Sequence, residues 1–186
     1  MFSLKTKSCL VAITLQCIIT SASAATSQAS TPSWNSWPVV GQATLSWLWL
    51  DIYSSQLRSP LGVYQQSDDV SPHPIALEIR YQRDISQPQL LKATAEQWTK
   101  LGYSDSQVQG WITQLQTIFP DVSDGQRLVY ISDGRLGQFV FIPVTGAEQQ
   151  IGEIDDEALN DAFLSIWLSP NSEYPKLRNQ LIGMNR

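Results

Sequence analysis

An α+β domain, in which an antiparallel sheet is covered on one side by a layer of helices, is predicted by three features of this sequence. Strand patterns come first, two helical patterns follow, and a hairpin pattern precedes further helices, so the element types are grouped and not strictly alternated. The run Thr44 to Tyr53 reads as a single strand with large apolar side chains on both faces, which places it between two layers. Seven Trp, six Tyr and five Phe supply bulky filling for one sizeable core.

In that first strand, which follows Gly41, strict alternation puts Leu45, Trp47, Trp49, Asp51 and Tyr53 on one face and Leu48, Leu50 and Ile52 on the other. A turn-rich stretch with Pro60, Gly62, Asp68, Asp69, Pro72 and Pro74 leads to a second strand, Ile75 to Ile85. There Ile75, Leu77, Ile79 and Tyr81 alternate with Glu78, Arg80 and Gln82, the pattern of a half-buried strand. A helix begins near Ser86 and Pro88, spaces Leu91, Thr94, Trp98 and Leu101 by three and four, and ends at Gly102. The next opens on Ser104-Asp105-Ser106-Gln107, a capping-box pattern, aligns Val108, Trp111, Ile112, Leu115 and Phe119, and stops at Pro120. Turns at Asp124-Gly125 and Asp133-Gly134 bracket Leu128 to Ile131, and the chain returns through Phe139 to Val144 as a hairpin. A short extended piece around Ile151 and Ile154 meets Asp155 and Asp156, either of which can cap a third helix with Leu159, Phe163, Ile166 and Trp167 as its buried stripe. Pro170 ends that helix, and a last one starts near Pro175 and buries Leu177 and Leu181.

Residues 1–24 have the layout of a secretory leader: Lys5 and Lys7, an apolar run from Leu10 to Ile19, then Ala22-Ser23-Ala24. The apolar run is shorter than the roughly 20 residues a membrane span needs, and no later segment reaches that length without a charge, so no membrane span is expected. Cleavage near Ala24 gives an exported chain, periplasmic or secreted. Both cysteines, Cys9 and Cys17, leave with the leader, so packing alone stabilises what remains. With Lys5 and Lys7 gone, the 12 basic side chains become ten against 17 acidic ones, and the formal net charge moves from −5 to −7. That balance argues against nucleic acid as a partner. Residues 25–36, rich in Ser, Thr and Ala, read as a flexible tether, and residues 37–186 as one domain; Trp34 and Trp37 are too apolar to leave in water, so the end of the tether is expected to dock.

The strand ending Asp51-Ile52-Tyr53, the segment Tyr81-Gln82-Arg83-Asp84-Ile85, the helix end Trp98-Thr99-Lys100-Leu101-Gly102-Tyr103, Phe119-Pro120, Gly152-Glu153-Ile154 and Ile166-Trp167-Leu168-Ser169-Pro170 together resemble the chalcone isomerase-like family, and in particular its exported bacterial branch. The likeness runs from about Trp37 to Gly183 and implies the family's open-faced sandwich. Plant members close a chalcone into a flavanone with an Arg and a Thr from the first strands, a Tyr and an Asn near the first helix and a later hydroxyl residue. This chain departs from that set: no Lys, Arg or His lies between Lys7 and Arg58, Leu48 falls at the Thr, Ser86 at the Tyr, Ala93 at the Asn and Asn160 at the late hydroxyl. Chalcone–flavanone isomerase activity is therefore not expected. Other relatives bind fatty acids in the cleft between sheet and helices, holding the carboxylate with an Arg and a Tyr.

Five residues are candidates for ligand binding: Arg83, Tyr81, Tyr53, Asp51 and Trp49. Alternation extended along the second strand puts Arg83 on the apolar face after Ile79 and Tyr81, where a guanidinium can grip a carboxylate or a phenolic oxygen, or simply pair with Asp51 or Asp84. Asp51 among aromatics needs a cation, donor or ligand to stay ionised. Tyr53 and Tyr81 offer phenol donors, although a strand-end Tyr more often packs its ring; Trp47 and Trp49 either line an aromatic cleft or belong to the core. Trp98, Trp111 and Trp167 read as core. His73, the only histidine, has no cysteine or second histidine beside it, so neither a metal site nor any other cofactor is expected, and the acidic run Glu153, Asp155, Asp156 and Glu157 reads as a helix start. The leading expectation is an exported domain without the plant activity that binds a small apolar or carboxylated molecule in its cleft. Two rivals are an intramolecular lyase using Arg83 as oxyanion stabiliser with Tyr81 as acid, and a periplasmic protein-interaction module.

Overall fold

The computed structural model describes residues 33–47 and 50–184, with the side chains of positions 47, 50 and 51 excluded. The expected leader, most of the tether and Trp49 lie outside the described residues, as does the side chain of Asp51. Six strands form one antiparallel sheet in sequential order: β1 (Val39–Trp47), β2 (Leu50–Arg58), β3 (Ile75–Tyr81), β4 (Arg127–Ser132), β5 (Gly137–Ile142) and β6 (Gln149–Ile154). Helices α1 (Gln87–Lys100) and α2 (Asp105–Leu115) are inserted between β3 and β4, and α3 (Glu157–Leu168) and α4 (Pro175–Leu181) follow β6.

All four helices pack on one face of the sheet. Leu57, Leu77, Ile79, Tyr81, Tyr130 and Phe139 from the strands join Trp98, Leu115, Phe163 and Leu177 from the helices in a single apolar core. Trp98 anchors α1 to α3 by donating its indole N–H to the Ala162 carbonyl at 2.7 Å, and it meets Trp111 of α2 edge-on at 5.3 Å. The opposite face is covered only in part. Trp34, in a 3-10 turn at Trp34–Ser36, and Trp37 pack on Ala76, Val129, Val140 and Ile142, so the end of the tether docks as expected.

The helices begin where capping chemistry indicates. Ser86 donates its backbone N–H to Gln89 Oε1 at 2.9 Å, Ser104 and Gln107 close a reciprocal box, and of the two candidate aspartates it is Asp156 that accepts from the Ala158 N–H, at 2.9 Å. Helix α4 lies over β1, and Gly41 marks their closest approach: a Cβ there would collide with the backbone carbonyls of Gln180 and Leu181.

Two expectations about the strands are corrected. The run Thr44 to Tyr53 is not one strand but the two arms of a hairpin, with Trp47 opposite Leu50, Ser46 opposite Asp51 and Leu45 opposite Tyr53. Leu48-Trp49 carries no Gly, Asn, Asp or Pro, so nothing in the residue chemistry announces a reversal. The second strand stops at Tyr81 instead of Ile85, because the Tyr81 N–H and C=O are taken by the turn at Gln126 and Gly125, at 3.0 and 2.9 Å. Residues 82–84 bend away, and Ile85 returns only as an isolated bridge to Val122.

Candidate functional site

Between the open ends of β1–β3 and the helices α1 and α3 lies a cavity of about 180 Å³. Its floor is the inner face of the sheet: Leu45 of β1, Tyr53 of β2, and Ile79 and Tyr81 of β3. Its walls are Ala93 and Thr94 from α1 with Phe163 and Trp167 from α3. Exposed Gln89 and Ala93 mark the side facing solvent, and Thr94, Gln97 and Tyr174 add polar groups to a lining that is otherwise aliphatic and aromatic. No charged side chain is among the described residues that line it.

The polar groups at the floor are two phenols. Tyr53 and Tyr81 stand directly opposite each other on neighbouring strands, a pairing that brings Cβ atoms to about 5 Å. Trp167 donates its indole N–H to the Tyr53 hydroxyl oxygen at 2.9 Å. An indole N–H is a donor only, so the Tyr53 oxygen accepts there and its own proton stays available. Tyr81 is 4% exposed. Burial raises the pKa of both phenols well above the ordinary tyrosine value; for Tyr53 the Trp167 hydrogen bond offsets part of the rise, and for Tyr81 the neighbouring Tyr53 adds to it. At neutral pH both are donors and neither is a base.

Of the five candidates, Tyr53 and Tyr81 are brought together at this cavity. Arg83 is not part of it. It lies beyond the end of β3, exposed, and its expected position on the apolar face is corrected: alternation holds only while the chain remains in the sheet. Its exposed neighbour Asp84 accepts from the Asp124 N–H at 3.2 Å. The expected Arg83 grip on a carboxylate, and its expected part in an oxyanion site, lose their geometric basis. Trp49 and the Asp51 side chain lie outside the described residues.

Positions that the family likeness singles out have other occupations. Ser86 caps α1, and Ala93 sits at the cavity wall. Asn160 is fully buried: its Oδ1 accepts from the Tyr130 hydroxyl at 2.8 Å, and its Nδ2 donates to Ser71 Oγ at 2.9 Å and Asp161 Oδ1 at 3.1 Å. This network fastens the β2–β3 connection to α3. His73 is also spent locally, accepting from the Gln65 N–H at 3.1 Å through Nε2 and bonding the Pro74 carbonyl at 3.0 Å through Nδ1. In the acidic run, Asp156 caps α3 and Glu157 pairs with Arg135 at 3.2 Å, in keeping with a helix start.

Sequence reasoning missed two polar anchors. Trp167 read as core, and nothing local signals that its N–H reaches Tyr53, 114 positions away. Arg178, only 8% exposed, donates from Nε to the Leu168 carbonyl at the end of α3, at 2.6 Å, and from a terminal nitrogen to Gln66 at 3.1 Å. A cation at a helix C-terminus fits the local dipole, but an isolated Arg on a seven-residue helix gave no sign of burial.

A helix layer on one face of a six-stranded antiparallel sheet, with an apolar cleft between them, is the open-faced sandwich of the chalcone isomerase-like proteins. Residues 40–183 match the family model described as chalcone isomerase-like, and the chain belongs to that family. It is 30% identical over 151 residues to a protein of Haemophilus influenzae (strain ATCC 51907 / DSM 11121 / KW20 / Rd) described as an uncharacterized protein; the match covers 81% of this chain and 70% of that one.

Proposed function

We propose that this chain is exported and that its domain binds a small, uncharged, largely apolar molecule in the cleft between β1–β3 and α1 and α3. The observation that carries this reading is a cavity of about 180 Å³ lined mostly by aliphatic and aromatic side chains, with two phenols at its floor and no charged group among the described residues that line it. A cavity of roughly 150 Å³ with such walls is enough for benzene, whereas drug-sized ligands need about 300–1,000 Å³. The cleft therefore suits a single ring or a short branched chain. A carboxylated ligand is disfavoured, because an ionised carboxylate entering an apolar site without a counter-ion costs several kcal/mol. The reading is one of binding: closing a chalcone ring builds negative charge on a ketone oxygen, and that chemistry calls for a positively charged or strongly polar environment.

The test starts from the chain purified from an exporting host. Amino-terminal sequencing should begin near Ala25, and mass spectrometry of material released on denaturation should show a neutral small molecule at close to one per chain. Ala93→Trp, which places a large ring at the exposed lip, should abolish the recovery while leaving the circular dichroism spectrum unchanged. Equal recovery from this variant, or an empty protein that also takes up no ethylbenzene, contradicts the reading.

A further inference from the structure

We infer that the outer face of β1–β3, on the side of the sheet away from the helix layer, holds a second binding site, one for a small hydroxylated monocarboxylate of the sugar-acid class, with Arg80 as the group that grips the carboxylate. This site is separate from the cleft and does not depend on it. Burial alternates along β3, with Leu77, Ile79 and Tyr81 in the core and Glu78 and Arg80 turned the other way. Register carries that outward set across the sheet: Gln56 lies opposite both Glu78 and Gln42, and Ser54 lies opposite both Arg80 and Thr44. These six residues line a cavity of about 450 Å³, along with Ala43 and Ser55 between them and Gln180 of α4 beside the edge strand β1. That volume falls within the roughly 300–1,000 Å³ usual for small-molecule sites. Trp34 and Trp37 cover the apolar part of the same face at Ala76, Val129, Val140 and Ile142, whereas this part presents amides, hydroxyls and charge.

Charge selects the ligand. Glu78 pairs with Arg127 at 3.1 Å, and Arg127 stands directly opposite Arg80, so two guanidiniums against one carboxylate leave one positive charge uncompensated. Arg80 is exposed and forms no ion pair among the described residues. Like charges facing each other on neighbouring strands repel, and one carboxylate held in the Arg80 fork supplies the charge this group of three lacks. A dianion exceeds it and meets Glu78, two residues from Arg80 on the same face. The glutamine amides and the Thr44 and Ser54 hydroxyls offer donors and acceptors together, which is what ligand hydroxyls pair with. A bare carboxylate leaves those groups unused.

Four probes titrated into the purified chain by calorimetry separate the possibilities: glucuronate, glucose, acetate and inorganic phosphate. Glucuronate should bind tightest, by about tenfold or more over glucose and over acetate, because the charge-assisted pair and the hydroxyl contacts act together only there. Arg80→Gln, at an exposed position outside the core, should weaken glucuronate about tenfold and bring it level with glucose. Gln56→Ala should weaken glucuronate and glucose alike, severalfold. Glu78→Gln releases Arg127 and adds one positive charge to the face, so phosphate should gain severalfold and gain more than glucuronate. Undiminished glucuronate binding in Arg80→Gln overturns the site. Acetate as tight as glucuronate overturns recognition of hydroxyls, and phosphate tightest in the unaltered chain overturns the monocarboxylate in favour of a general anion site. No binding of glucuronate overturns the inference outright and leaves the cleft reading untouched.

Discussion

At the scale of single residues, burial decides what each polar group can do. The Tyr53 oxygen accepts the Trp167 indole N–H at 2.9 Å, so deleting that oxygen leaves a buried donor unpaired while the ring packing stays intact. Tyr53→Phe should therefore destabilise the protein by about 1 kcal/mol or more, which for a chain of this size is a fall of roughly 2–4 °C in Tm by calorimetry. An unchanged Tm would show that the Trp167 N–H finds another acceptor. Asp161 is the counterpart on the other side of α3. Burial raises its pKa above the usual carboxylate value, and the hydrogen bonds from Ser71 and Asn160 oppose this only in part. The folded state then holds the proton more tightly than the unfolded chain. The stability this group contributes is present below the ordinary carboxylate pKa and is lost as pH rises through the folded value. Asp161→Asn still accepts from Ser71, so the variant should match or exceed the wild type in urea midpoint at pH 7, and its advantage should vanish at pH 3. A variant less stable than wild type at pH 7 by a wide margin would reverse that sign.

At the scale of elements, capping and close approach set the costs. The reciprocal box at Ser104 and Gln107 starts α2; Ser104→Ala should lower stability by about 1 kcal/mol in urea titration. Gly41 is more demanding, because added bulk meets backbone carbonyls of α4 that cannot move aside as a side-chain tip could. Gly41→Ala should cost about 1–3 kcal/mol, read in the same titration, with loss below 0.5 kcal/mol arguing that α4 is not seated on β1. These helices were legible because each property that makes them is local: apolar spacing by three and four, Ser or Asp at the start, Gly or Pro at the end. The hairpin of β1 and β2 was not legible for the matching reason. Trp47 and Leu50 pair across it within a continuous apolar and aromatic run of sequence, which looks the same whether the chain extends or turns back. Leu45 and Tyr53 still share the inner face, but through cross-strand pairing and not through alternation along one strand.

At the scale of the molecule, the α+β sandwich followed from the grouping of strand and helix patterns, and the cleft followed from neither. Alternation along β3 does put Tyr81 inward with Ile79, so half of the candidate pair was readable from sequence. Arg83 was misplaced by carrying the same alternation two residues past the strand end, where backbone pairing with the turn at Gly125–Gln126 takes the chain out of the sheet. The Trp167 hydrogen bond to Tyr53 joins α3 to β2 across 114 positions, a long-range packing result that no local pattern encodes. The family's fold is present here, with Ala93 on the cavity wall and Asn160 tied to Tyr130 and Ser71.

The most direct measurement is the indole N–H resonance of Trp167, assigned by Trp167→Phe and followed as ethylbenzene is added to the mature chain. Because this proton sits at the cleft wall, bonded to Tyr53, a filled cleft should shift it in a saturable manner while the Trp98 signal, locked on the Ala162 carbonyl within the core, stays in place. A Trp167 resonance that does not move at saturating ethylbenzene, or one that moves no more than Trp98, would contradict a ligand-binding cleft.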